Sequence, residues 1–374
     1  MRNSIKKILI THSSNDYYGA SKVLISIIDI FINNGFEVHL LLPNNGPLNN
    51  NETIKKTKLS IINLGVFRKR YFTIFGLINR FYLIITSTLF IRKYLKKNQI
   101  DLVYTNTSTL ISPSIAAKIY GIPSIYHIHE IPNSSYIYLR FMITFLNNFS
   151  KNVICVSKSV NKFWIINGLK KSKVKIIHNG FSLKKSKSKI LHNNKIVFTS
   201  ISRIIPYKGH SLLIRIFEML CKKYKNIYLQ IVGDTLPEYQ KYLHELKIDI
   251  RKRGLNNKIK FLGYREDVLS ILDKSNFFIH TPLSPDPLPT VIFEAINCKT
   301  PVITNNLGGA YEILNQGNNG LIIKNDLIEE SVEKIFSYLE NKKEQNKNVE
   351  QAFNYVYDNF SKEQFKRKIL NSIG

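Results

Sequence analysis

Ser284 to Thr304 reads SPDPLPTVIFEAINCKTPVIT: a Pro-rich loop, a helix pattern entered at Thr290, and a short apolar strand from Pro301 to Thr304. Loop, helix and strand in that order form the repeating unit of a parallel α/β sheet. Two carboxylates mark the stretch, Asp286 in the loop and Glu294 eight positions later on the helix. Carboxylates accept hydrogen bonds from hydroxyls, and the N–H groups of a first helical turn have no intrahelical partner and favour an anion. Together they suit a sugar attached to a diphosphate. A helix merely capped after a turn carries the same local string, so the rest of the chain has to decide.

The unit recurs on both sides. Strand patterns fall at Lys7–Thr11, Glu37–Leu42, Leu102–Tyr104, Ser124–His127, Val153–Val156 and Val174–Ile177. A second series follows at Ile196–Ser200, Ile227–Val232, Ile259–Leu262, Phe277–His280 and Pro301–Thr304. Helical patterns separate them, and Ser182 to Lys195 (SLKKSKSKILHNNK) is polar, basic and poor in core residues, as a linker is. The expected fold class is α/β: two Rossmann-like domains, residues 1–185 and 186–355, facing across a cleft at their strand ends. Residues 356–374 are expected to form a C-terminal helix with the option of crossing back to the first domain.

The chain has 374 residues, 44% of them hydrophobic, enough for two cores. Cys155, Cys221 and Cys298 are odd in number and lack a C-x-x-C pair, which indicates neither a disulfide framework nor a zinc site and fits a reducing compartment. The N-terminal apolar run, Ile8 to Ile10, is too short for a signal-peptide core and reads as a first strand. The net charge is +28. Lysine, asparagine and isoleucine abound throughout, as an AT-biased genome produces; the remaining excess favours anionic partners such as phospholipid, a nucleotide diphosphate or nucleic acid. No RNP, KH or zinc-finger pattern is present, so nucleic acid ranks last.

The longest apolar stretch, Thr73 to Ile91 (TIFGLINRFYLIITSTLFI), approaches spanning length but contains Arg80, which costs about 2.5 kcal/mol or more at mid-span. It is expected to be a buried helix of the first domain. The alternative is a helix lying partly on a membrane surface, with Arg68, Lys69, Arg70, Arg92, Lys93, Lys96 and Lys97 reaching anionic head groups.

Further residues of chemical interest sit at strand ends. Ser202-Arg203-Ile204-Ile205-Pro206-Tyr207-Lys208-Gly209 leads from a strand into a helix; Arg203 offers a fork and Lys208 a point charge for a diphosphate. Ser14 to Ser21 follows the first strand, with Gly19 able to admit a phosphate or an acceptor, or simply to start a helix. His127-Ile128-His129-Glu130 closes another strand; two His at i, i+2 share a face, but no third ligand follows at a metal-binding spacing. Val232-Gly233-Asp234 and Leu307-Gly308-Gly309-Ala310-Tyr311-Glu312 are further strand-end turns.

These elements together resemble glycosyltransferases of group 1, family four, over nearly the whole chain and most strongly from Phe198 to Leu321. The resemblance implies the GT-B fold and retaining transfer from a nucleotide-diphosphate sugar. The family's E-x(7)-E element appears as Asp286-x(7)-Glu294, and the resemblance implies that Glu294 holds the ribose and Asp286 the donor sugar. Its E-P-F-G loop is Asp286-Pro287-Leu288-Pro289, where Pro289 removes one N–H; those of Leu288, Thr290 and Val291 remain for the donor. Arg203 and Lys208 match the family's G-R-x-x-x-x-K-G element, and His129 and Glu130 its His-acid pair at the donor sugar. Gly19 matches its first loop, Gly233 and Asp234 its G-D-G, and Gly308 and Gly309 its G-G-x-x-E. Lys299 stands where the family usually has glycine.

The resemblance further implies that the leaving phosphate oxygen takes the acceptor's proton. The chain has no D-x-D, so neither a metal nor a cofactor beyond the nucleotide sugar is expected. The expected acceptor is a glycan or lipid-linked saccharide at an anionic membrane surface, for a cytoplasmic, peripheral enzyme of bacterial polysaccharide synthesis. An epimerase or phosphorylase on the same fold, or a non-catalytic sugar-nucleotide-binding subunit, are the alternatives.

Overall fold

Near-continuous apolar runs such as LVYT and FFIH fold as strands buried on both faces, the usual state of an all-parallel sheet. The computed structural model describes residues 5–67, 71, 73–132, 134–183 and 195–373. Arg68, Lys69 and Arg70 of the basic flank, and 184–194 of the expected linker, lie outside the described residues. The chain divides into two compact units, one of Met1–Gly180 with Lys362–Gly374 and one of Phe181–Ser361.

The first unit holds β1 (Lys7–Thr11), β2 (Glu37–Leu42), β3 (Lys58–Ile61), β4 (Leu102–Thr105), β5 (Ser124–Ile128), β6 (Asn152–Cys155) and β7 (Val174–Ile176). Their order is β3-β2-β1-β4-β5-β6-β7, all parallel, with Ile8 opposite both Val38 and Leu102. The second unit holds β8 (Ile196–Ile201), β9 (Ile227–Val232), β10 (Ile259–Gly263), β11 (Phe277–His280), β12 (Val302–Asn305) and β13 (Leu321–Ile323). Their order is β10-β9-β8-β11-β12-β13, again parallel. Chain direction across each sheet reverses beside β1 and beside β8, and the strand-end crevice at such a switch point is where ligands of this architecture bind.

Two strands were absent from the sequence reading. β3, KLSI, is an exposed edge with only two apolar residues, and β13 has only three residues. The terminal helix, Lys362–Ile373, joins the first core: Phe365, Ile369 and Ile373, four apart, are buried with Ile8, Leu102 and Ile125.

The helix Ile74–Asn98 corrects the expectation of a buried element. Its buried residues, Ile84, Ser87, Thr88, Ile91 and Leu95, form one stripe in its second half, which packs on the helix Ser112–Tyr120. The first half runs past that partner, and Phe75 and Phe81 are 85% and 67% exposed.

Lys299 also gains an explanation. It sits just past the helix Thr290–Asn297 with φ of 50°, the left-handed turn at which helices commonly end in glycine. Its ammonium reaches Glu350 on the helix Lys342–Asn359 at 3.0 Å. Glycine relieves the backbone by about 1 kcal/mol, and loss of a partly exposed pair removes about 0.5 kcal/mol. Lys299→Gly is therefore expected to hold or slightly raise the thermal midpoint; a drop of several degrees in a melt would contradict this account.

Candidate active site

In the second unit the loops after β8, β11 and β12 close on one another. The loop after β8 turns at Pro206–Lys208 into the helix His210–Lys223, and Gly209 between them has φ of 77°. A Cβ there would lie 1.8 Å from the Thr281 carbonyl oxygen, so only glycine fits. Leu283 N donates to the Tyr207 carbonyl at 2.8 Å, tying the loop after β11 to the loop after β8. On its other side that loop meets the one after β12: Gly309 N donates to the Asp286 carbonyl at 2.7 Å, and Gly308, φ 79°, leaves a Cβ no room beside the same oxygen. Asn305 Nδ2 braces the arrangement from the Pro282 carbonyl at 2.6 Å.

This closure brings Lys208 and Asp286 together. The Lys208 ammonium donates to Asp286 Oδ2, and His280 Nε2, at the end of β11, is 3.4 Å from the same oxygen. Burial works against charge on Asp286, but Lys208 and His280 outweigh it and hold the carboxyl well below the usual carboxylate range. Burial pushes the His280 imidazole down, against the pull of Asp286, and pushes His210 down to about 4, with His280 and Lys208 adding to the shift. His210 Nε2 lies 3.2 Å from Ser202 Oγ, which anchors the start of the loop.

Glu294 lies on the helix Thr290–Asn297, entered after Pro289 as read from the sequence. The N–H groups of Leu288, Thr290 and Val291 make no hydrogen bond among the described residues, so this end of the helix presents donors. Its opposite side is held by Phe293, stacked on Phe181 at 5.4 Å and against Phe360 at 5.2 Å. Arg203 is exposed in the loop after β8. Gly233 N bonds the Gly263 carbonyl at 2.8 Å, and the Asp234 carbonyl accepts from Ile204 N at 2.9 Å, so both join β9 to its neighbours.

The first unit gathers His12, Asn106 and His129 at the ends of β1, β4 and β5. Asn106 Nδ2 donates to the Ala20 carbonyl at 3.2 Å, and its Oδ1 is 2.8 Å from His129 Nε2. Oδ1 therefore accepts from a protonated Nε2 and leaves His129 Nδ1 as the acceptor. Burial, with His127 and His12 adjacent, holds His129 well below its ordinary range and neutral. Glu130 is a brace: its carboxylate accepts from Thr107 Oγ1 at 2.7 Å and from the N–H groups of Ser108 and His129 at 3.2 Å. His127 is buried, with Nδ1 on the Tyr104 hydroxyl at 2.9 Å. Gly19 begins the helix Gly19–Ile32 in open space, and no neighbour demands a glycine there. Among the described residues no three His, Cys, Asp or Glu side chains converge as metal ligands.

A family model described as "Glycosyl transferases group 1" matches residues 182–355, and one described as "Glycosyltransferase Family 4" matches residues 17–185. The chain belongs to the group 1 glycosyltransferases. A solved structure of Anabaena HepE in complex with UDP and glucose is 26% identical, covers 99% of both chains and superposes with a TM-score of 0.82, which makes the architecture GT-B. An Escherichia coli UDP-Gal:alpha-D-GlcNAc-diphosphoundecaprenol alpha-1,3-galactosyltransferase is 24% identical over 337 residues, 83% of this chain and 82% of its own. An uncharacterized Methanocaldococcus jannaschii glycosyltransferase is 27% identical over 219 residues, and the yeast phosphatidylinositol N-acetylglucosaminyltransferase GPI3 subunit is 25% identical over 241. The chain spans about half the length of these last two, 54% and 52%.

For this glycosyltransferase the sequence reading named Asp286 and Lys208 separately, and the structure joins them. It missed His280, His210 and Asn106; His280 closes an apolar run that carries no outward sign of a site, and His210 directly follows the Lys208-Gly209 turn.

The buried histidines set a pH dependence. His127, held at about 3, and His210, at about 4, stay neutral in the fold, whereas an unfolded histidine titrates near 6.5. Below that value the unfolded chain takes up the protons, so the stability is whole above pH 6.5 and is lost as pH falls toward 4 for His210 and toward 3 for His127, at roughly 1.4 kcal/mol per pH unit for each group. Thermal midpoints are expected to drop between pH 6.5 and 5, less steeply in His210→Gln; a flat profile would mean that the two imidazoles ionise inside the fold.

Proposed function

We propose that this protein transfers a hexose from a UDP-linked donor to a lipid-linked saccharide, with retention at the anomeric carbon and without a metal. The observation that carries the reading is the Lys208–Asp286–His280 cluster beside the open N–H groups of the Thr290–Asn297 helix. A diphosphate competes with Asp286 for the Lys208 ammonium. Once Lys208 turns to phosphate, Asp286 is left as an acceptor for sugar hydroxyls, and His280 keeps it oriented. Arg203 joins Lys208 in neutralising the charge that grows on the diphosphate as the anomeric C–O bond breaks. The N–H groups of Leu288, Thr290 and Val291 take the phosphate oxygens.

Glu294 holds the ribose hydroxyls. Gly233, Asp234, Gly308 and Gly309 shape the donor loops. The new bond forms from the acceptor oxygen to the anomeric carbon, and its proton passes to the departing phosphate oxygen. The UDP bound by the Anabaena relative and the lipid-diphosphate substrate named for the Escherichia coli relative support donor and acceptor class. An acceptor of that kind places the enzyme peripherally on the cytoplasmic face of a bacterial membrane, in capsule or O-antigen synthesis.

A thermal-shift panel of UDP, GDP, ADP, dTDP and their sugar conjugates tests the donor. UDP and UDP-hexoses are expected to stabilise the wild type and to lose that effect in Glu294→Ala. Lys208→Ala is expected to lower kcat by about 100-fold or more, the size of a lost electrostatic contact in a transition state. A folded chain that no nucleotide stabilises would sink the donor assignment.

A further inference from the structure

We propose that the first half of the Ile74–Asn98 helix inserts into one leaflet of an anionic bilayer, as an anchor that does not span. Insertion rests on the proposed transfer only for the existence of a membrane-borne acceptor and is otherwise independent of it.

The helix is long and apolar enough to cross a membrane by length and composition, yet only 17% of its most apolar window is buried. One apolar stripe, Ile84, Ile91 and Leu95, packs on the first unit. A second faces outward: Ile74, Ile78, Phe81, Ile85 and Leu89 recur at three- and four-residue spacing, and all are exposed. The outward stripe continues at the same spacing into Arg92 and Lys96, with Lys93 alongside, all exposed. The same face is thus apolar at its start and cationic at its end. Phe67, seven residues before the helix start, stacks on Tyr138 and Phe141 at 6.1 and 6.2 Å, which sets the helix Tyr136–Phe149 beside Phe67. That helix adds Tyr136 and Ile137, 72% and 81% exposed.

Depth follows from length. Residues 74–83 precede the buried stripe and cover about 15 Å at 1.5 Å per residue, half of a hydrocarbon core of about 30 Å. Beyond Ile84 the helix is held against the unit, so it enters one leaflet. Arg80 leans over the Tyr71 ring at 4.2 Å, an amphipathic pair suited to the interface rather than to the bilayer centre.

Charge identifies the occupant. Between Glu52 and Glu218 the chain has only two carboxylates, Asp101 and Glu130. Asp101 is engaged by the N–H groups of Lys6 and Lys7, and Glu130 is braced internally, so neither balances the lysines and arginines around the patch. A second copy docked on this face by two-fold symmetry would bring like charges together. Anionic lipid satisfies both the stripe and the cations.

The test is flotation of the full chain with vesicles of phosphatidylcholine alone or mixed with phosphatidylglycerol, alongside a UDP thermal shift. Wild type is expected to bind the anionic vesicles and to weaken in high salt. The double variant Ile78→Asp/Phe81→Asp is expected to lose more than about tenfold in partitioning, since a charge placed in the apolar layer is costly, while its UDP shift and melting curve stay unchanged. Lys93→Glu/Lys96→Glu is expected to bind several-fold less. Ile78→Trp gives an independent reading, because the native Trp164 is fully buried: its emission should shift to the blue and be quenched by brominated lipid. Equal binding by the Asp variant with no quenching of the Trp variant would reduce the contact to surface charge and overturn insertion. No vesicle binding, with a dimer that the Asp variant dissolves, would make the face a protein interface. Vesicle binding without any UDP shift would sink the donor reading and leave the anchor standing.

Discussion

Backbone crowding at the ends of β8, β11 and β12 is the constraint on which the site depends. A Cβ at Gly209 or Gly308 would fall about 2 Å from a carbonyl oxygen of the neighbouring loop, at Thr281 and Asp286 respectively. Only glycine lets the backbones approach this closely, and the Leu283–Tyr207 and Gly309–Asp286 hydrogen bonds tie the loops together. They deliver Lys208 from one loop and Asp286 from another to a single point, 78 residues apart in the chain. The ion pair is therefore a product of backbone packing, and its two members are better regarded as one group than as two site residues. An ammonium and a carboxylate shielded from water interact more strongly than a surface pair, and removing either partner leaves the other uncompensated.

The parallel sheets were legible because burial on both faces forces long apolar runs, and such runs stand out whatever surrounds them. That signal vanishes at the sheet edges, where β3 alternates lysine and serine with apolar residues and β13 is too short to show a period. The carboxylates and cations of the candidate site were legible as local strings. Their pairing was not, since neither string encodes what it faces. His280 illustrates the same limit: it closes the apolar run FFIH, and only the fold turns it toward Asp286. The 74–98 helix failed in the opposite direction. Its apolar residues were assigned to a core, but composition cannot separate a side chain that faces protein from one that faces outward. The stripe that packs, which includes Ser87 and Thr88, is no more hydrophobic than the stripe that does not, and only the position of the Ser112–Tyr120 helix distinguishes them.

The net charge takes on a local meaning once the carboxylates are placed. A codon bias toward lysine raises the charge everywhere, but it does not decide where acidic residues are missing. In the first unit they are missing over a long run of sequence, and the two exceptions serve the fold: Asp101 ties β1 to the turn before β4, and Glu130 ties the ends of β4 and β5. The second unit, in contrast, pairs its surface charges freely, as in Arg253 with Glu218 and Asp249, and Lys334 with Glu330. A protein whose basic excess came from composition alone would spread it over both units alike. The asymmetry places the unbalanced cations on the unit that also exposes the apolar stripe.

Asp286 has one methylene fewer than the first glutamate of the E-x(7)-E element that this stretch resembles. The shorter side chain keeps its carboxylate close to its own loop, where Lys208 and His280 already engage the same oxygen. Pro289 acts in the same direction, since a ring at the helix entrance fixes the backbone and removes a donor that glycine would offer. The change at Asp286 falls on the carboxylate proposed to meet the sugar, and that at Pro289 among the N–H groups proposed to meet the phosphate, whereas Arg203, Lys208 and Glu294 match the residues of the family elements they resemble. On the proposed roles, the sugar side of donor recognition meets a carboxylate that reaches less far, and the phosphate side gives up one N–H donor while keeping both of its cations.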